Sequence, residues 1–333
     1  MNQSITNQIG GIIREHQTFL VAGHIRPDGD VLACQIALGL TLQALGKTVE
    51  VWNSDGMSRK YSFLPHADLV HRPPPQPRAF DVVFAVDTAA HDRLGSIRDR
   101  LASKKILVNL DHHISNARFG DINWIEPGAA ASGELVHRLL RDNHWPITPA
   151  IAANLFVAIA TDTGSFQYSN TTPQTLRLAA ELVEAGANVA ELSRHCFQSY
   201  PIGRVRLLQL ALAGLQLSAG NRIASIWLNK EMYRQSGALP EDSEGLIDHI
   251  RAISSVLVAA VLEQDENGIV RISLRSKSKQ INVDKIAAKF GGGGHMAAAG
   301  ARIPGEPAAV EAAVLKAIEQ AVQSAADSAA SPR

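Results

Sequence analysis

Ile106-Leu107-Val108-Asn109-Leu110 runs directly into Asp111-His112-His113. The first five residues have the apolar character of a buried strand. An acid and two imidazoles placed where such a strand ends are poor packing material, because each must find a partner or a charge. The triplet therefore reads as half of a metal site. An acid with two adjacent histidines cannot complete a coordination shell alone, so the other ligands must lie elsewhere in the chain.

The bulk properties bound that search. At 333 residues and 46% hydrophobic composition, the chain is long enough for a substantial core, and two domains are expected. Lys+Arg and Asp+Glu are equal at 32 each, which argues against a protein that tracks long duplexes by electrostatics, though a local basic patch is allowed. Cys34 and Cys196 lie far apart without a CxxC pattern, so they read as core thiols in a reducing compartment. Residues 1–15 carry no basic stretch followed by a long apolar run, and no segment reaches the roughly 18 uninterrupted apolar residues of a membrane span. A cytoplasmic location is the expectation.

Working outward, the same strand-end pattern recurs. Phe19-Leu20-Val21-Ala22 reads as a short buried strand, followed by Gly23-His24-Ile25-Arg26-Pro27-Asp28-Gly29-Asp30 and a helix from Val31 to Leu45. Pro27 and Gly29 suit a tight turn, and Asp30 sits where an N-cap would. Capping needs one acid, whereas His24, Asp28 and Asp30 together suit a hard divalent cation. Val49 to Trp52 reads as a second strand, and Arg72 to Pro77 as a Pro-rich surface connection. Asp81 to Val86 is a further β-rich run, ending at Asp87. Alone, Asp87 reads as a cap or turn residue, yet its position matches those of His24 and Asp111 at the carboxyl ends of strands.

Ser132-Gly133-Glu134 starts a helix through Leu140, and Thr148-Pro149 opens another. That helix, Ala150 to Ala160, is apolar almost all round and so reads as buried. It ends in Thr161-Asp162-Thr163-Gly164. An Asp at the C-terminus of a buried helix opposes the helix dipole, and a bound cation would relieve the conflict.

Beyond the helix from Thr172 to about Ala185, Asn188 to Ser218 reads as one or two helices, with a domain boundary between about Glu191 and Asn221. Ile223–Leu228, Val256–Leu262 and Ile269–Leu274 read as strands, with Asn267-Gly268 as a hairpin signal. A helical segment from Val283 to Phe290 leads into Gly291-Gly292-Gly293-Gly294-His295. Four successive glycines suggest backbone N–H groups approaching a phosphate or carboxylate, with Arg275 supplying positive charge nearby. Residues from about 321 onward are small and polar and are expected to fray.

In one order, the chain thus holds His24-x3-Asp28-x-Asp30, a strand-end Asp87, Asp111-His112-His113, and Asp162 after a buried helix. This combination resembles the DHH phosphoesterase superfamily over roughly residues 19 to 170. The glycine-rich stretch ending in His295, with Arg275 before it, is similar to that family's associated C-terminal domain. The resemblance implies an α/β fold: a DHH domain (1–190) with a mainly parallel sheet flanked by helices, a helical linker (191–220), and a smaller C-terminal α/β domain (221–325). An active-site cleft between the domains and a disordered tail (326–333) complete the expectation. The two-domain length looks most like the nanoRNase/pAp phosphatase branch.

The resemblance further implies that His24 and Asp28 hold one metal, Asp30, His112 and Asp162 hold the second, and Asp87 bridges them. Manganese is the expected ion, with magnesium the alternative. His113 would face the substrate phosphate, and Asp111 would act behind the ligands as an orienting acid. Arg275, Gly292, Gly293, Gly294 and His295 would bind substrate. Val31-Leu32-Ala33-Cys34 departs from the family's commoner run ending in Gly-Ser, which touches helix packing more than metal binding. The implied function is metal-dependent hydrolysis of short RNA or DNA oligonucleotides to 5′-mononucleotides, by a water activated between two metals, with 3′-phosphoadenosine 5′-phosphate as a second substrate. The alternative is a cyclic-dinucleotide or linear dinucleotide phosphodiesterase. No membrane partner is expected, and a homodimer is an open expectation. A manganese pyrophosphatase would carry lysine and arginine signatures where this chain has Gly-Gly-Gly-Gly-His. A decayed, purely regulatory homologue would have lost ligands that are all present here.

Overall fold

The computed structural model describes residues 4–265 and 268–330 and separates into two compact units, Met1–Ser199 and Tyr200–Arg333. The first unit contains α1 (Ile5–Glu15), β1 (Thr18–Gly23), α2 (Gly29–Ala44), β2 (Thr48–Trp52), β3 (Val70–His71) and β4 (Arg78–Val86). It continues through α3 (Ile97–Arg100), β5 (Leu101–Asp111), β6 (Ile122–Ile125), α4 (Ser132–Asp142), α5 (Pro149–Asp162), α6 (Pro173–Glu184) and α7 (Val189–Phe197). Its sheet has the order β3-β2-β1-β4-β5-β6, and every pairing is parallel. From β1 the chain winds outward to β3 and then returns to the other side of β1 at β4. Such a reversal opens a crevice at the carboxyl ends of the two strands, where α/β sheets place their ligands.

Strand alternation divides the core. Phe19, Val21, Val82, Phe84, Val86, Val108 and Leu110 face a large cluster built with α2, α4 and α5, while Leu20, Ala22, Val83, Ala85 and Leu107 face a smaller one with Leu94 and Ile97. The helices α2 and α5 are buried along nearly their whole lengths, as their largely apolar sequences require. Two glycines bring helix ends together. A Cβ on Gly29 would lie 2.5 Å from Thr161 Oγ1, and one on Gly133 would lie 2.7 Å from Ala158 Cβ. The starts of α2 and α4 thereby meet the end of α5.

The second unit contains α8 (Ile202–Ala213), β7 (Gln216–Ser218), β8 (Ile223–Leu228), α9 (Lys230–Ser236), α10 (Leu246–Arg251), β9 (Val258–Gln264) and β10 (Ile269–Ser276). It ends with α11 (Val283–Ala288), β11 (Gly293–His295), β12 (Ala298–Pro304) and α12 (Pro307–Ala330). Its sheet runs β11-β12-β10-β9-β8-β7, antiparallel except between β8 and β9. Val270, Ile272 and Leu274 pack with Val314 and Ile318 on one face, and Ala224, Ile226 and Leu228 pack with Leu207, Leu246 and Ile250 on the other.

Several sequence expectations shift. The linker expected at 191–220 is divided, with α7 belonging to the first unit and α8 and β7 to the second. The tail expected from residue 326 is helical to Ala330, because α12 continues an alanine-rich run of high helix propensity; residues 331–333 lie outside the described residues. Asn267 of the hairpin signal also lies outside them, and Gly268 adopts φ +76° as such a turn requires. The strand β12 went unread because Ala298-Ala299-Gly300-Ala301 holds no β-branched residue. No helix among the described residues is long and apolar enough to cross a membrane.

The close approach at Gly133 sets a stability test. Gly133→Ala should destabilise the chain by about 1–3 kcal/mol through overpacking against α5. Urea unfolding measures this, and a variant as stable as the parent would show that α4 and α5 are not in such contact.

Candidate metal centre

Each strand of the crevice delivers one part of the site. His24 follows β1, Asp87 follows β4, and Asp111 ends β5 with His112 next in sequence. Asp28 caps α2 by accepting from the Val31 N–H at 3.1 Å, Asp30 lies in that helix's first turn, and Asp162 is the last residue of α5. Asp28, rather than Asp30, is thus the N-cap. Asp30 reaches across to α4 instead, accepting from the N–H groups of Ser132 at 2.7 Å and Gly133 at 3.0 Å, and from the Cys34 thiol at 3.2 Å.

The six residues expected to bind metal fall into two sets that share Asp87. His24 Nε2 lies 3.4 Å from Asp87 Oδ2 and 3.8 Å from Asp28 Oδ2. His112 Nε2 lies 3.1 Å from Asp162 Oδ2, 3.4 Å from Asp87 Oδ1 and 3.9 Å from Asp30 Oδ2. One ligand atom from each of His24, Asp28 and Asp87 fits within a 4.8 Å span, and so does one from each of Asp30, Asp87 and His112. Asp87 adopts φ +49°, a left-handed conformation that lifts its carboxylate out of the strand register between the two histidines.

The donor chemistry fits divalent cations. His24 Nδ1 lies 2.8 Å from the Ile25 carbonyl and His112 Nδ1 lies 3.2 Å from the Ala129 carbonyl, so Nδ1 donates in each ring and Nε2 is aimed at the acids. Carbonyl-oriented imidazoles of this kind are the usual support of metal-ligating histidines. Four carboxylates, Asp28, Asp30, Asp87 and Asp162, would balance two divalent charges with the imidazoles neutral. The ligand set is oxygen and nitrogen only, which suits manganese or magnesium better than structural zinc.

Without a cation, protons take up the imbalance. Burial opposes a charged His24, but the Asp87 hydrogen bond and the charges of Asp28 and Asp87 outweigh it and push the imidazole up to about 9. His112 is raised well above its ordinary value, where Asp162, Asp87 and Asp30 overcome burial. Burial raises Asp28 to about 6 and Asp30 well above the carboxylate range, with neighbouring acids adding to it. Asp87 moves the other way, because its three histidine neighbours outweigh its burial.

Behind the site, Asp111 is wholly buried and accepts from His113 Nδ1 at 2.7 Å and from the His112 N–H at 2.9 Å. Asn116 Nδ2 donates to Thr88 O, Asn109 Oδ1 and Asp111 Oδ2, and Asn109 Nδ2 donates to Ala85 O and Thr88 O. His113, about a quarter exposed, is held at Nδ1 and carries Nε2 on the opposite edge of its ring. Sequence reading missed Asn109, Asn116 and Ser132. An amide inside an apolar parallel strand, as at Asn109, was the available signal.

In the second unit, Arg275 pairs with Ala298, which pairs with His295, so all three lie in one row and leave the same face of the sheet. The glycines are explained differently from the sequence expectation. The N–H groups of Gly291, Gly292 and Gly294 donate to Ala288 O, Ala287 O and Asp284 Oδ1, so they are engaged within the unit and do not form a free anion cradle. A Cβ on Gly292 would lie 2.1 Å from Gly300 O, and one on Gly294 would lie 2.5 Å from Ala298 O, so close packing of β11 on β12 requires both.

Comparison with known proteins agrees with this architecture. The DHH family N-terminal domain matches residues 18–159 and the DHHA1 domain matches residues 223–324. The chain belongs to the DHH family of phosphoesterases and is a hydrolase. More particularly, it is similar to the bifunctional oligoribonuclease and PAP phosphatase NrnA of Thermus thermophilus, with 34% identity over 289 residues, 86% of this chain and 84% of that protein. The fold is shared with the crystal structure of an exopolyphosphatase-related protein from Bacteroides fragilis, at TM-score 0.83 and 23% identity, covering 95% of each chain. It is also shared with RecJ from Thermus thermophilus in complex with Mn2+, at TM-score 0.51 and 15% identity, covering 96% of this chain and 54% of that one.

A cation bound at His24 would have to displace its proton, whose folded value lies above the unfolded 6.5. The stability contributed by protonated His24 is present below pH 6.5 and is lost as pH rises through about 9. Apparent metal affinity should therefore climb between pH 6.5 and 9, by up to about tenfold per pH unit for each proton displaced. Calorimetric titration with Mn2+ across that range checks this, and a flat profile would contradict it.

Proposed function

We propose that this hydrolase uses two divalent cations, manganese by preference, to cleave short oligonucleotides to 5′-mononucleotides and to remove the 3′-phosphate of 3′-phosphoadenosine 5′-phosphate. The observation that carries the reading is the sharing of Asp87 by two ligand sets, one on each of its oxygens. Cations held there would acidify water and neutralise charge building on the phosphoryl oxygens, as hydrolysis of an anionic phosphodiester requires. The substrate assignment is supported by the name of the Thermus thermophilus relative and by a net charge near zero, which suits short substrates better than long duplexes.

The chain's own groups divide the remaining work. His113, fixed at Nδ1 by Asp111, presents Nε2 to a phosphoryl oxygen, and proximity to Asp111 and Asp87 keeps its proton in place despite burial. Arg275 and His295, on one sheet face with only Ala298 between them, hold substrate phosphates or sugar hydroxyls. Gly293, two residues before His295 in β11, leaves its position on that face without a side chain. Gly292 and Gly294 contribute by their size, which lets β11 lie close against β12.

A panel of end-labelled RNA and DNA 2- to 10-mers, 3′-phosphoadenosine 5′-phosphate and a cyclic dinucleotide, assayed with manganese and with magnesium, tests the proposal. Dinucleotides to short oligomers should turn over fastest, and folded Asp87→Ala should lose at least about 100-fold in kcat. Retained turnover by Asp87→Ala would overturn the site, and preference for the cyclic dinucleotide would overturn the substrate.

A further inference from the structure

We infer that Ser132 is a positioning residue that ties the shared carboxylate of Asp87 to the start of α4 and so sets the spacing of the two cation sites. This rests on the two-cation reading above. Ser132 is wholly buried at the first position of α4, and its hydroxyl donates to Asp87 Oδ1 at 2.9 Å. Its backbone N–H donates to Asp30 Oδ2 at 2.7 Å, and the Gly133 N–H to Asp30 Oδ1 at 3.0 Å. One residue thereby grips two carboxylates from two different elements.

In sequence, Ser132-Gly133-Glu134 reads only as the start of a helix. The structure gives the hydroxyl a different task. The N-cap position, Ala131, supplies no side-chain bond, and the first N–H groups of α4 are capped by Asp30, 102 residues away in sequence from Ser132. The Ser132 hydroxyl goes to Asp87 rather than to its own helix.

Asp87 needs such a tether because its left-handed backbone at φ +49° releases the side chain from the strand's alternation. Its other close neighbours are His24 Nε2 and His112 Nε2, both at 3.4 Å. Imidazoles that turn these nitrogens toward cations no longer donate to Asp87. His113 Nδ1, the third histidine nitrogen near Asp87 among the described residues, lies 3.8 Å away and is committed to Asp111 at 2.7 Å. Among the described hydrogen bonds, the Ser132 hydroxyl is then the side-chain donor that keeps Asp87 in place, by an oxygen lone pair the cations do not need.

The test is Mn2+ titration of the full chain, read by the paramagnetic resonance signal of free and spin-coupled ion, alongside steady-state kinetics on a dinucleotide. Ser132→Ala and Ser132→Gly both remove the hydroxyl and keep the N–H to Asp30, so either one that folds suffices, and Ser132→Thr retains the hydroxyl. The parent and Ser132→Thr should bind two ions. In the Ala or Gly variant one of the two affinities should fall about 10- to 100-fold, the spin-coupled signal should change, and kcat should fall with KM unchanged. Parent-like affinities and coupling in a folded Ala or Gly variant would overturn the inference, as would lower thermal stability with both affinities intact. If the parent binds two ions but cleaves no oligonucleotide, the substrate reading fails while the titration still decides Ser132. If the parent binds fewer than two, both fail.

Discussion

Four carboxylates, Asp28, Asp30, Asp87 and Asp162, share one place at the sheet's carboxyl edge, and the architecture around them depends on that mutual repulsion being offset. Two like charges about 4 Å apart cost roughly 4 kcal/mol at an effective dielectric of 20. Several features work against that cost. The N-termini of α2 and α4 point partial positive charge at Asp28 and Asp30, the Val31 N–H holds Asp28, Ser132, Gly133 and Cys34 hold Asp30, and two imidazoles lie among the acids. The remaining imbalance falls unevenly: Asp87 is held ionised by its histidine neighbours, while burial and neighbouring acids push Asp28 and Asp30 toward neutrality.

The fold meets this demand with few parts. A parallel sheet that reverses its winding between β1 and β4 places His24, Asp87 and His112 at adjacent strand ends. Gly29 and Gly133 let α2 and α4 approach α5 closely enough for Asp162 to reach the same point. A side chain at Gly29 would separate α2 from α5, which carry Asp28, Asp30 and Asp162, and one at Gly133 would push away from α5 the start of α4, whose N–H groups hold Asp30. The buried amide of Asn109 and the partly buried amide of Asn116 then lock the strand ends through Thr88 and Asp111, so the histidines emerge from a rigid base.

Much of this was legible in the chain itself. Strand-end polar residues stood out because an apolar run followed by an acid or imidazole has no packing explanation, and the misplaced Asp162 stood out against its helix dipole. What stayed hidden was long-range. Ser132 looks like any helix start until Asp30 and Asp87 are seen beside it, and Asp30 looks like a cap for its own helix when it caps another. The glycine run was misread in the same way. Its sequence suggests an anion cradle, whereas Gly292 and Gly294 are required by the close approach of a neighbouring strand that propensity alone did not reveal.

The central claim is that two cations share Asp87. Crystals of the full chain grown with Mn2+, measured at the manganese absorption edge, test it most directly. Two anomalous peaks about 3.5–4 Å apart are expected, one beside His24 and Asp28, the other beside Asp30, His112 and Asp162, with Asp87 touching both. A single peak, or two peaks of which only one contacts Asp87, would contradict it.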